Sequence, residues 1–164
     1  MGLIINIGLF LLVFLILAIS GGFATSSARR VTKLPGYKTN SSLDTAHKRL
    51  TTAAVITWIV IPLYIVIIVL YAIFAEFDFF LVGIFSLLFL GSAMLFIFII
   101  GILSAVGAYD IGASGVPSTN DARRDAIIAS VLALISFAGV IGLFIYRHYK
   151  KHHKSKIKKS KTTG

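Results

Sequence analysis

Hydrophobic and polar positions along this chain do not alternate with a period of two or 3.6; they separate into long blocks. Four apolar runs stand out: Leu3 to Ala24, broken only by Asn6; Thr51 to Phe74, with Pro62 near its middle; Phe79 to Gly107; and Ala126 to Tyr146. A hydrocarbon core of ~30 Å takes ~20 helical residues to cross, and each run is long enough. Phe79 to Gly107 exceeds the requirement, so it tilts or overhangs. In lipid every backbone polar group needs an internal partner, which at this residue density leaves helices. The expected fold is an all-α integral membrane protein, a four-transmembrane-helix bundle. No Lys or Arg precedes the first run, so it reads as a retained span rather than a cleaved leader.

The polar blocks divide the chain. Residues 1–74 form a first two-helix hairpin with a basic loop at 25–50, residues 75–146 a second with a loop at 108–125, and residues 147–164 a basic tail. The hairpins read as tandem copies. Thr45-Ala46-His47-Lys48-Arg49-Leu50-Thr51-Thr52-Ala53-Ala54-Val55 aligns with Asp121-Ala122-Arg123-Arg124-Asp125-Ala126-Ile127-Ile128-Ala129-Ser130-Val131. Upstream, Leu11, Phe14, Ile16, Ser20 and Ala24 fall on Leu95, Phe98, Ile100, Ser104 and Ala108, with the first connection eight residues longer. Two such hairpins in sequence are expected to be related by an axis along the membrane normal. Ser41, Ser42 and Asp44 in one copy, and Ser118, Thr119, Asn120 and Asp121 in the other, supply helix N-caps.

Composition supports the membrane reading: 57% of the 164 residues are hydrophobic and 13% charged, more apolar surface than a soluble domain of this length can hide. Cysteine is absent, which excludes disulfides, thiolate catalysis and Cys-ligated metal sites. The net charge of +10 lies outside the apolar runs. With four spans, the two long loops share one side and carry Arg29, Arg30, Lys33, Lys38, Lys48, Arg49, Arg123 and Arg124. The tail, with the N-terminus and the Glu76/Asp78 turn, lies on the other and carries Arg147, Lys150, Lys151, Lys154, Lys156, Lys158, Lys159 and Lys161. Eight against eight gives the positive-inside rule no asymmetry to act on, so orientation stays open. A chain basic on both faces suits a place between two acidic or anionic layers. Of these residues Arg29, Arg30, Lys48, Arg49, Arg123, Arg124, Arg147, Lys150, Lys151 and Lys154 are the candidate contacts to partners or to anionic headgroups. Through charge alone the tail also suits non-specific nucleic-acid binding.

Enzymatic chemistry finds no foothold. All six acidic residues (Asp44, Glu76, Asp78, Asp110, Asp121, Asp125) lie at span ends or in loops, so an ion-coupled transporter lacks its intramembrane charges. Ser/His/Asp, paired-carboxylate and P-loop arrangements are missing, and Gly112-Ala113-Ser114-Gly115-Val116-Pro117 reads as a turn. His148, His152 and His153 have helical spacing, but Lys150, Lys151 and Lys154 around them oppose a cation. No catalytic residue, cofactor or metal is expected. Small residues four apart are the stronger signal: Ala18 and Gly22, Gly101 and Ala105, Ala129 and Ala133, Ala138 and Gly142 let helix backbones approach. Some serve packing within the bundle and others face a partner.

The segment Ser42-Leu43-Asp44-Thr45-Ala46-His47-Lys48-Arg49-Leu50-Thr51-Thr52-Ala53-Ala54-Val55-Ile56-Thr57-Trp58, echoed at 118–135, resembles the loop-to-helix segment of small multi-span membrane (minor capsid or inner-membrane) proteins of large DNA viruses. The resemblance covers about residues 42–60 and carries over no functional residue. It implies a structural virion protein in an internal lipid membrane, bridging capsid components outside and nucleoprotein inside. Two other classes fit the composition: a small carrier or channel made of tandem hairpins, and an accessory subunit of a larger membrane complex.

Overall fold

The structure, a computed structural model, describes the backbone of residues 2–74 and 79–162 and the side chains of 11–66, 69, 91–142, 145 and 146. Its described residues form four helices: α1 (Gly2–Val31), α2 (Ser41–Phe74), α3 (Phe79–Ala113) and α4 (Asn120–Thr162). All four are long and apolar enough to cross a membrane. Each helix packs on its two sequence neighbours, α4 closes back on α1, and the diagonals barely touch. The result is an up-down-up-down bundle, as short connections between long helices favour.

The buried positions explain the bundle. On α2 they are Leu43, Ala46, Leu50, Ala53, Thr57, Val60 and Tyr64, on α4 Ala122, Ala126, Ala129, Ala133, Ser136 and Val140. Steps alternate between three and four, the 3.5-residue period of a left-handed coiled bundle. The same rhythm runs through Leu17, Ser20, Ala24, Ser27 and Val31 of α1 and Ala93, Ile97, Ile100, Ser104, Gly107 and Ile111 of α3. Small side chains dominate this seam, so backbones approach closely. A Cβ added at Gly21 would sit 2.6 Å from Thr57 Cγ2, and one at Gly107 2.9 Å from Leu50 Cγ.

Register also relates the two hairpins. Ala46, Leu50, Ala53, Ala54, Thr57, Val60 and Tyr64 align with Ala122, Ala126, Ala129, Ser130, Ala133, Ser136 and Val140, and every member of both sets is buried. Val13, Leu17, Ser20, Ala24 and Ser27 align in the same way with Ile97, Gly101, Ser104, Ala108 and Ile111, again all buried. The pairings of α1 with α2 and of α2 with α3 recur as α3 with α4 and α4 with α1, the arrangement that a twofold along the bundle axis produces.

The loops expected at 25–50 and 108–125 shrink to 32–40 and 114–119, because the helices run on past the apolar runs. Their polar flanks are helical since each still buries an apolar seam residue every three or four positions. Helix α2 is capped by Asn40, one residue before the expected serines: its Oδ1 accepts from the backbone N–H groups of Ser42 and Leu43. The Asn40 Nδ2 donates to the Ser114 carbonyl, which ties one loop to the other. Gly36 (φ 70°) and Gly115 (φ 65°) turn the chain in the left-handed region where glycine costs least. The Glu76/Asp78 turn lies outside the described residues.

Candidate functional site

The loop end of the bundle is where polar chemistry gathers. Here the helices leave the apolar zone and enclose a second core of Ala28, Val31, Leu43, Ala46, Leu50, Ala108, Ile111, Ala122 and Ala126, roofed by Leu34, Tyr37 and Val116. The outward faces change character along each helix. Exposed Leu11, Leu15 and Ile19 give way to Arg29 and Arg30 on α1; exposed Val55 and Ile59 to Thr51, Thr52 and Lys48 on α2. The change falls near residue 53 on α2, so about 18 Å of that helix, at 1.5 Å per residue, stands clear of the apolar zone. This part is a small helical cap with a water-soluble protein's inside-out pattern.

Three carboxylates stitch the helices of the cap together, and a fourth pairs within α2. Asp125, with a side chain only 5% exposed, accepts from Arg30 Nε at 2.9 Å and from Ser26 Oγ at 2.8 Å, linking α4 to α1. Arg30 also reaches Asp121 at 3.4 Å, and Arg124 sits 3.5 Å from the same Asp121. Across the bundle Arg49 of α2 pairs with Asp110 of α3, and Lys48 with Asp44 one turn before it. Under the hairpin alignment Ser26 corresponds to Asp110 and Asp125 to Arg49. The same structural place is thus bridged twice, with the carboxylate on α4 in one interface and on α3 in the other. His47 Nδ1 lies 3.2 Å from the Ala28 carbonyl at the end of α1, its ring edge-on to Tyr37.

The candidate contact residues therefore divide. Arg30, Lys48, Arg49 and Arg124 are held by carboxylates of the same chain, whereas Arg29, Lys33, Lys38 and Arg123 are exposed and make no ion pair among the described residues. Eight basic and four acidic residues leave the cap at +4, against +8 for residues 147–164, which have no acidic member. Arg147, Lys150, Lys151 and Lys154 lie on the far part of α4; their side chains fall outside the described residues, as do those of His148, His152 and His153. Lys150 is 26 helical residues from Arg124, about 39 Å along the helix. Among the described residues no three His, Cys, Asp or Glu side chains gather as a metal site.

In the apolar half the packing glycines and alanines also divide. Gly101, Ala129 and Ala133 lie in the seam, and Ala18 is half-buried; Gly22, Ala105, Ala138 and Gly142 face outward. A four-residue spacing puts two residues on one face without saying which face, and only the seam decides it. Hydroxyls do more than the spacing suggests: Ser20 Oγ donates to the Ala129 carbonyl at 2.7 Å and Ser130 Oγ to Gly101 at 3.1 Å, and at the edge of the cap Ser27 Oγ donates to Ala122 at 2.7 Å. Such bonds across membrane helices average about 0.6 kcal/mol each. Ser104 Oγ, the counterpart of Ser20, is buried with no hydrogen-bond partner among the described residues. The signal for these bonds was a serine on the small-residue seam rather than on an outward face.

No family model, curated protein or solved structure matches the chain. What it does must be argued from its own geometry.

Proposed function

We propose that this chain is a non-enzymatic structural membrane protein that tethers layers on the two sides of a bilayer. The supporting observation is α4: one helix of 43 residues carries the cap at its start, a span in its middle and the basic tail at its end. A continuous helix transmits position without a hinge, so two basic ends are held at a fixed separation. The described interior supports a scaffold over a conduit, since its seam is filled by Ala, Ser and Leu and its charged groups sit at the cap. Exposed Arg29, Lys33, Lys38 and Arg123 are the cap-side contacts, and the residues from Arg147 to Lys161 those on the tail side.

The finer reading, a component of a virion's internal membrane, rests on the resemblance at residues 42–60. Purification from the native source in mild detergent, with mass spectrometry of what remains bound, tests both levels. Capsid or scaffold proteins in the eluate support the virion tether. Enzyme subunits would make the chain an accessory subunit, and solute flux through liposomes holding the pure protein would make it a carrier.

A further inference from the structure

The outer surface between α1 and α2 differs from its counterpart between α3 and α4. On α1, Ala18, Gly22, Thr25 and Arg29 follow one another at steps of four, three and four, so they line one helical face. That face turns toward α2, because Trp58 Nε1–H donates to Thr25 Oγ1 at 3.2 Å. Gly22 is exposed, and a Cβ added to it would meet nothing within 4 Å. The surface is therefore a groove with a low floor at Ala18 and Gly22, the half-exposed Trp58 ring for a wall, and Arg29 at its mouth about 6 Å beyond Thr25. In the second hairpin the aligned residues are Ile102, Val106, Tyr109 and Ala113 on α3 and Leu134 on α4. There large side chains stand where the first hairpin has Ala18, Gly22 and Thr25, and Leu134 lies 3.4 Å from where a Gly101 Cβ would be.

The groove starts in the apolar zone and ends in the cap. Trp58 lies about 7.5 Å to the apolar side of the level near residue 53 where outward faces turn polar, next to the interfacial zone in which indoles concentrate in bilayers. Just above it Arg29 is exposed and makes no ion pair among the described residues, with Lys33 in the loop that follows α1. An apolar trough below and an unneutralised guanidinium above complement a molecule with an alkyl chain and an anionic head. We propose that the α1–α2 groove holds one anionic phospholipid, its acyl chain along Ala18 and Gly22 beside Trp58 and its phosphate on Arg29.

The inference depends on the membrane placement of the helices and not on the tethering role, and its test needs only purified full-length chain and lipid. Trp58 is the single tryptophan, so its fluorescence reads the groove directly. The chain is reconstituted in phosphatidylcholine vesicles with rising fractions of phosphatidylglycerol or phosphatidylcholine dibrominated near the top of the acyl chain. The brominated phosphatidylglycerol is expected to half-quench Trp58 at about a fivefold lower fraction, the factor that one basic residue near the surface supplies. Arg29→Gln, a change on an exposed surface checked by circular dichroism, is expected to bring that ratio close to one. Gly22→Leu fills the floor and is expected to lower quenching by both lipids. Equal quenching by the two lipids in the unaltered chain would mean ordinary boundary lipid and overturn the proposal. An unchanged ratio in Arg29→Gln, or unchanged quenching in Gly22→Leu with the helical spectrum intact, would overturn it equally.

Discussion

The cap and the apolar half are built by the same four helices on the same seam, yet their outsides are opposites. Around Leu50 and Ile111 the outward neighbours are Lys48, Thr51, Thr52 and Arg124; around Leu17 and Ile97 they are Leu15, Ile19, Leu95 and Phe98. Burying a leucine in the cap removes it from water. Burying one in the apolar half exchanges lipid tails for helix, which carries little hydrophobic gain and leaves packing to hold the bundle. The helices can keep one interior across the boundary because a 3.5-residue seam depends on size and fit, not on the solvent outside. The comparison teaches that the membrane is recorded on the surface of this protein and the fold in its interior.

The largest test of that difference is a matched pair of truncations, read as unfolding free energy in mild-detergent micelles titrated with a denaturing detergent. Leu50→Ala in the cap is expected to cost about 2–4 kcal/mol, the transfer and cavity terms together. Leu17→Ala, equally buried, should lose only contacts, about 1–2 kcal/mol, since lipid replaces water as the outside. Equal losses would erase the distinction between the two halves.

Asp125→Ala removes the carboxylate that Arg30 and Ser26 share. It should destabilise the cap by about 1–2 kcal/mol at low salt and by less at high salt, because Arg30 is half-exposed and can return to water. Unfolding at two salt concentrations measures this. A smaller contrast lies inside the apolar half, between the aligned serines. Ser20→Ala should cost about 0.6 kcal/mol for the bond to Ala129, whereas Ser104→Ala should be neutral or slightly stabilising because its hydroxyl has no partner among the described residues. Comparable losses from the two would show that Ser104 does find a partner in the bilayer. The smallest effect belongs to Lys48→Ala: its side chain is largely in solvent and its pair with Asp44 lies within one helix at the surface, so no change in unfolding is expected.

Much of the architecture was legible because lipid imposes so few solutions. Four apolar runs of sufficient length became four helices, and the alignment of 45–55 with 121–131 reappears as coincident burial along α2 and α4. The expected loops were too long because charge was read as irregular structure, whereas Lys48, Arg49, Arg123 and Arg124 are helical residues on the outside of a seam. The basic contacts were legible as a set but not in detail. Nothing local reveals that Arg49 meets Asp110, 61 residues away, or that Arg30 meets Asp125, and these partners separate paired cations from Arg29 and Arg123, which make no ion pair among the described residues.

By itself the sequence determined the class of fold, the number of spans, the basic ends and the exclusion of cysteine chemistry, since these follow from composition and block length. Tertiary structure alone decided which small residues meet, which cations are neutralised and where the groove beside Trp58 opens. Those depend on the rotation of each helix about its axis, and that rotation is set by the fit of all four seams at once.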